Sequence, residues 1–141
     1  MTAKICTHEK LVSKGIISEL RKICSRVLCC ADTLGYSKDD QFAVHLAIEE
    51  ALVNAVKHGN KQDPQKDIII EYGLSPEKIE VWITDQGVGF DPQNLADPRS
   101  GENIYKTGGR GVLLIKSYMD SVEYNKTGNC VHMVKFNSKS A

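Results

Sequence analysis

The sequence has no surplus of charge, no apolar run of membrane length and no paired metal-ligand motif. Its 141 residues carry 18 Lys and Arg against 18 Asp and Glu. Nucleic-acid binders draw their affinity from a basic excess, so that class loses weight. No apolar stretch is long enough to cross a bilayer, and Met1-Thr2-Ala3-Lys4-Ile5-Cys6 lacks a signal-peptide core. We therefore expect a cytoplasmic protein with no membrane partner and no direct nucleic-acid partner. The five cysteines (Cys6, Cys24, Cys29, Cys30 and Cys130) have no CxxC spacing, and no His or Cys pair has zinc-ligand spacing. Cys24 and Cys30 recur among Ile16, Leu20, Ile23, Val27, Ala31 and Leu34, which places reduced thiols on an apolar helical stripe. Aromatic residues make up only 6% and are not interleaved with basic ones, so no stacking platform for single strands is expected. Without a repeat, a low-complexity stretch or a linker, residues 1–141 are expected to fold as one domain.

What the sequence does contain is a regular run of elements. Lys4 to Glu9 reads as a short strand. Apolar residues at three- and four-residue steps predict a helix from Leu11 to Leu34, closed by Gly35. Ser37-Lys38-Asp39-Asp40 reads as a capping box, with Ser37 as N-cap and Asp40 in the reciprocal position. The helix it opens should reach His58 and stop at Gly59-Asn60. Asp67 to Leu74 and Ile79 to Thr84 predict an antiparallel hairpin across Ser75-Pro76-Glu77-Lys78, with Ile79, Val81 and Ile83 on one face. Gly87 to Thr107 is a long loop of the kind that carries function. Gly111 to Met119 returns to helix, and Ser121 to Tyr124 pairs with Val131 to Phe136. The fold class is α+β: a two-layer sandwich of one mostly antiparallel sheet with helices on one face.

Three segments carry chemistry. Glu50, Asn54 and His58 fall at i, i+4 and i+8 on one helical stripe, whereas Glu49 lies about 100° away. Glu50 is therefore the candidate catalytic carboxylate. Taken alone, the spacing is also that of a solvated Glu beside a surface Asn. Asp85-Gln86-Gly87-Val88-Gly89 follows a strand directly. Its aspartate could accept a hydrogen bond from an exocyclic amine, while Gly87 and Gly89 leave room for a ring; a plain turn would use the same residues. Gly108-Gly109-Arg110-Gly111 precedes a helix yet fits neither the dinucleotide fingerprint, since Leu114 replaces the third glycine, nor the P-loop. What remains is a helix start whose free N–H groups suit phosphate.

In this order the three segments resemble the N, G1 and G2 boxes of the GHKL ATPase superfamily. The resemblance spans residues 10 to 137 and is strongest to the anti-sigma serine-protein kinases of the RsbW and SpoIIAB type. It rests on Glu50-Ala51-Leu52-Val53-Asn54-Ala55-Val56-Lys57-His58-Gly59, on Asp85-Gln86-Gly87-Val88-Gly89-Phe90-Asp91 and on Gly109-Arg110-Gly111-Val112-Leu113-Leu114. It implies the Bergerat fold, ATP with Mg2+ as cofactors, and a magnesium ligand at Asn54. It implies that Glu50 is the general base and that Asp85 holds the adenine amine. Asn54, His58, Asp85, Gly87, Gly89, Lys106, Thr107, Gly108, Gly109, Arg110, Gly111 and Val112 are then the nucleotide-binding set, with an ATP lid between Asp91 and Gly108. Some relatives carry an arginine where this chain has Thr107, which leaves Lys106 and Arg110 as alternative cations for the terminal phosphate. The partners implied are a sigma factor and a STAS-domain antagonist phosphorylated on serine or threonine, with the kinase as a homodimer. A free-standing ATP hydrolase and a nucleotide-gated binding module are the alternatives. The first is disfavoured because 141 residues leave no room for a coupling domain, the second by the intact Glu50.

Overall fold

The computed structural model describes residues 7–60, 63, 65–87 and 115–140. Strand β1 (Thr7–Ser13) is followed by helices α1 (Ile17–Thr33) and α2 (Lys38–Val53), and a π-helical turn (Asn54–Gly59) extends α2. Strands β2 (Ile68–Leu74) and β3 (Lys78–Thr84) come next, then a helical turn at residues 115–118. Strands β4 (Ser121–Tyr124) and β5 (Cys130–Phe136) and a 3-10 turn (Ser138–Ser140) complete the described order.

The strands form one five-stranded sheet in the order β1-β2-β3-β5-β4, and every neighbouring pair is antiparallel. Register aligns Leu11, Ile70, Ile83, Val131 and Tyr124 in one row, and Tyr72, Val81, Met133 and Val122 in the next. Side chains alternate across a pleated sheet, so these rows share one face. That face packs against Leu20, Cys24, Val27 and Ala31 of α1 and Val44, Ala47, Ile48, Ala51 and Leu52 of α2 in a single core. Both helices cover the same side, as the α+β expectation required. On the open side Trp82 stacks on His132 with ring centroids 4.4 Å apart, and His132 Nε2 lies 2.9 Å from Glu80.

Both hairpins form where alternation predicted them. The N-terminal boundary differs. Leu11, Val12 and Ser13 are not the start of a helix but the end of β1, paired with Ile70, Ile69 and Ile68. Gly15, at φ +76°, then breaks the chain away before α1 begins at Ile17. Two apolar residues ahead of a helical stripe fit either period, and pairing to β2 decided between them. At its other end α1 closes as expected through Gly35 at φ +87°. Tyr36 N–H donates to Ala31 O and Gly35 N–H to Asp32 O, the double bond of a Schellman motif.

The capping box forms by half. Ser37 Oγ accepts from Asp40 N–H at 3.0 Å, but the Asp40 carboxylate does not return to the Ser37 backbone. Its Oδ2 instead accepts from Ser138 N–H at 2.9 Å and from Ser138 Oγ at 2.8 Å, tying the start of α2 to the far end of the chain.

Candidate functional site

The site is built on the C-terminal end of α2. Glu49 and Glu50 are both half-buried there, yet their surroundings differ. Arg21 Nε donates to Glu49 Oε1 at 3.2 Å and to Oε2 at 3.4 Å, so Glu49 belongs to the contact between α1 and α2. Among the described residues nothing takes the Glu50 carboxylate. The 100° phase difference between adjacent helical positions thus separates a glutamate paired to α1 from one with no partner among the described residues.

Asn54 follows one turn later, where the regular helix gives way. Its N–H still bonds Ala51 O and Glu50 O, so the backbone is satisfied without the side chain. Beyond it the spacing widens: Asn60 N–H reaches back five residues to Ala55 O at 2.8 Å. A π turn fits an extra residue into the turn and often marks a functional position. The regular 3.6-residue period of the helix predicted to reach His58 holds only to Asn54, and His58 falls inside the wider turn.

The widened turn delivers Asn60, which the sequence reading passed over as a helix stop. It is 2% exposed. Its Nδ2 donates to Asp67 O at 3.0 Å, and its Oδ1 accepts from Gln86 N–H at 2.7 Å. Gln86 Oε1 in turn accepts from Asp67 N–H at 2.7 Å. The end of the α2 segment is thereby fastened to the strand ends that carry Asp85. A polar residue right after a helix-ending glycine was the only local signal, and it reads as an ordinary turn former.

Asp85 directly follows β3 and is 9% exposed. Its N–H donates to Asn129 O at 2.8 Å, its carbonyl accepts from Asn129 Nδ2 at 3.1 Å, and its Oδ1 accepts from Gly87 N–H at 2.8 Å. Burial pushes the Asp85 carboxyl above its ordinary value near 3.8, and the Gly87 N–H and the Lys66 ammonium offset part of that rise. A folded pKa that is raised favours the fold most below the unfolded value, and that contribution is lost as pH climbs through the folded one. Ionised Asp85 therefore costs stability at neutral pH. Replacing it by Asn should leave the free protein as stable or more stable, by up to about 1 kcal/mol, because a neutral acceptor avoids the desolvation. Urea denaturation at pH 7 checks this, and a clear loss of stability would contradict it.

Cys24 is 2% exposed, and burial, reinforced by Glu49, pushes its thiol up to about 12, so it packs rather than reacts. Gly89, Lys106, Thr107, Gly108, Gly109, Arg110, Gly111 and Val112 lie outside the described residues, as do Cys6, the side chain of His58 and the segment expected to form a lid.

The helix-backed antiparallel sheet thus carries Asn54 and a Glu50 without a partner among the described residues at the end of its second helix. The profile of the histidine kinase-like ATPase domain matches residues 16–135. The serine-protein kinase RsbW of Bacillus licheniformis is 34% identical over 113 residues, covering 75% of this chain and 71% of that protein. RsbW of Listeria innocua is 32% identical over 143 residues, covering 96% of this chain and 86% of its own length. RsbW of Bacillus subtilis is 32% identical over 113 residues, covering 75% and 71%. A crystal structure of RsbU and RsbW domains from Mycobacterium tuberculosis superposes with a TM-score of 0.61 at 14% identity, over 93% of this chain and 32% of that one, a likeness of fold. The chain belongs to the histidine kinase-like ATPase domain family and, within it, to the RsbW serine-protein kinases.

Proposed function

We propose that residues 1–141 form one ATPase domain working as an ATP-dependent protein serine kinase of the anti-sigma type. It binds a sigma factor and phosphorylates a serine or threonine of a STAS-domain antagonist. The observation that carries this reading is the contrast at α2: Glu49 is engaged by Arg21, while Glu50, one position on, has no partner among the described residues. A carboxylate left open in this way can accept a proton. Nucleotide-binding relatives and the RsbW kinases supply the acceptor class by name.

The division of labour follows from the residue types. Asp85 reads the base: Gly87 N–H occupies Oδ1, which leaves the second carboxylate oxygen for the adenine amine. Asn54 offers a neutral oxygen one helical turn from Glu50, the hard donor type that Mg2+ accepts alongside phosphate oxygens and water. When bound, magnesium offsets the charge of the phosphates. Glu50 takes the proton of the attacking serine hydroxyl as the new O–P bond forms. The bond from the terminal phosphorus to the bridging oxygen breaks, and ADP leaves with its electron pair. Of the two nearby cations, Lys106 and Arg110, one neutralises the terminal phosphate, together with the N–H groups of Thr107, Gly108, Gly109, Gly111 and Val112. His58 and Gly89 complete the proposed binding set. We assign the protein to the cytoplasm as a homodimer; among the described residues no helix is long and apolar enough to cross a membrane.

The test is incubation of the full chain with γ-labelled ATP, Mg2+ and co-purified antagonist. Label on an antagonist serine or threonine is the expected result. Rapid release of free phosphate with no labelled protein would overturn the kinase reading in favour of a hydrolase.

A further inference from the structure

We propose that Asn60 and Asn129 are positioning residues for base recognition, which hold the backbone at Gln86 and Asp85 and so orient the Asp85 carboxylate without touching the nucleotide. The inference rests on the reading of Asp85 as acceptor of the adenine amine. Neither asparagine belongs to the three glycine-and-acid segments, and they lie 69 residues apart in the chain (129 − 60). The fold brings both to the same strand end.

Asn129 holds the Asp85 backbone at two points, accepting from its N–H through the main-chain carbonyl and donating Nδ2 to its carbonyl. The orientation of this carboxamide is itself set, since Oδ1 accepts from Asn125 Nδ2 at 2.6 Å and from Thr127 Oγ1 at 2.7 Å. Asn60 holds the next residue, accepting from Gln86 N–H, while Nδ2 bonds Asp67 O. One partner of Asn60 is a backbone donor and the other a backbone acceptor, so only one orientation of the amide satisfies both. Only a side chain that can donate and accept at once fills this position. With Gly87 N–H on Oδ1, the second carboxylate oxygen has little freedom left. Recognition of an N–H donor needs an acceptor held to a fraction of an ångström, and a buried carboxylate on a loose turn would not supply that.

Asn60 has a second connection. Its place is set by the π turn that begins at Asn54, so the residue proposed to hold the metal and the residue proposed to position Asp85 share one helical segment. A shift at either end is then felt at the other.

The experiment compares ATP with purine riboside triphosphate, which lacks the N6 amine, by calorimetry on the full chain with Mg2+. The wild-type protein should bind ATP at least about tenfold tighter than the analogue, the expected size for one charge-assisted hydrogen bond. Asn60→Ala should lower ATP affinity toward that of the analogue while leaving analogue affinity near wild type, so the ratio collapses. Asn60→Asp keeps the acceptor for Gln86 N–H but sets an acceptor against Asp67 O, so it should recover only part of the ratio. A merely structural Asn60 would weaken both nucleotides equally, or neither, and either result overturns the proposal while the Asp85 reading stands. If Asn60→Ala does not fold, Asn129→Ala decides by the same ratio, because Asn129 is only half-buried and its main-chain bond to Asp85 N–H remains. Equal affinity for both nucleotides in the wild-type protein would instead remove the Asp85 reading itself, and this inference with it.

Discussion

Replacing Glu50 by Ala should reduce phosphoryl transfer to the antagonist by about 10²–10⁴-fold, the usual contribution of a positioned general base. ATP affinity should stay within about threefold of wild type, because a group that acts on the attacking hydroxyl adds little to ground-state binding. The neighbouring substitution makes the prediction sharp. Glu49→Ala breaks only the half-exposed pair with Arg21, a contact of about 0.2–1 kcal/mol, and should leave transfer close to wild type. Two adjacent glutamates on one helix would then differ by orders of magnitude in rate, for no reason other than phase and partner. Single-turnover transfer of labelled phosphate, with calorimetry for ATP, measures both quantities. Similar losses from the two variants would discard the assignment of the base.

The second large effect lies far from the site. The Asp40 side chain is 6% exposed, Lys135 Nζ lies 3.9 Å from its Oδ1, and Ser138 donates twice to its Oδ2. Lys135 is shared with Asp120, at 3.8 Å. Replacing Asp40 by Ala orphans the Ser138 N–H and hydroxyl, strips the first turn of α2 of a carboxylate and leaves the mostly buried Lys135 side chain with Asp120, a half-exposed partner. A loss of about 3 kcal/mol in unfolding free energy is expected, from the cost of unpaired hydrogen bonds to a charged group and of half a buried ion pair. Asp40→Asn keeps an acceptor for Ser138 and should lose less.

The pH dependence of Asp40 carries a definite sign. Burial pushes its carboxyl up, but the two Ser138 bonds, the Lys135 charge and Ser37 more than offset that, and the net shift is downward from 3.8. A lowered folded value means the stabilisation is present above the unfolded value and drains away as pH falls below it through the folded one. Wild-type protein should therefore lose its advantage over Asp40→Asn on acidification below about pH 4, where the unfolded carboxyl takes up its proton. Urea midpoints of both proteins across that range settle the point. A constant gap between them would show that the charge of Asp40 contributes nothing.

Particular elements explain how much was legible beforehand. The β2–β3 and β4–β5 hairpins were readable because alternation over each strand places one face in the core, whatever the rest of the chain does. Glu50 could be told from Glu49 because helical phase is a local property. The end of β1 was misread, since Leu11 and Val12 satisfy a helical stripe as well as a strand and only pairing with Ile70 and Ile69 distinguishes them. Asp40 was expected to close its own cap and instead binds a residue 98 positions away, a competition no local window contains.

Sequence alone determined what depends on neighbours within a few residues: element types, the faces of strands and helices, the Schellman stop at Gly35, and the order of three chemically suggestive segments. Tertiary structure decided the strand order β1-β2-β3-β5-β4, the π turn after Val53, and the hydrogen bonds of Asn60 to Gln86 and of Asn129 to Asp85. The physical reason is the range of the forces involved. Periodicity and backbone preference act along the chain and leave their mark in composition, whereas a buried amide finds its donor and acceptor only after the sheet has closed and brought distant backbone groups within reach.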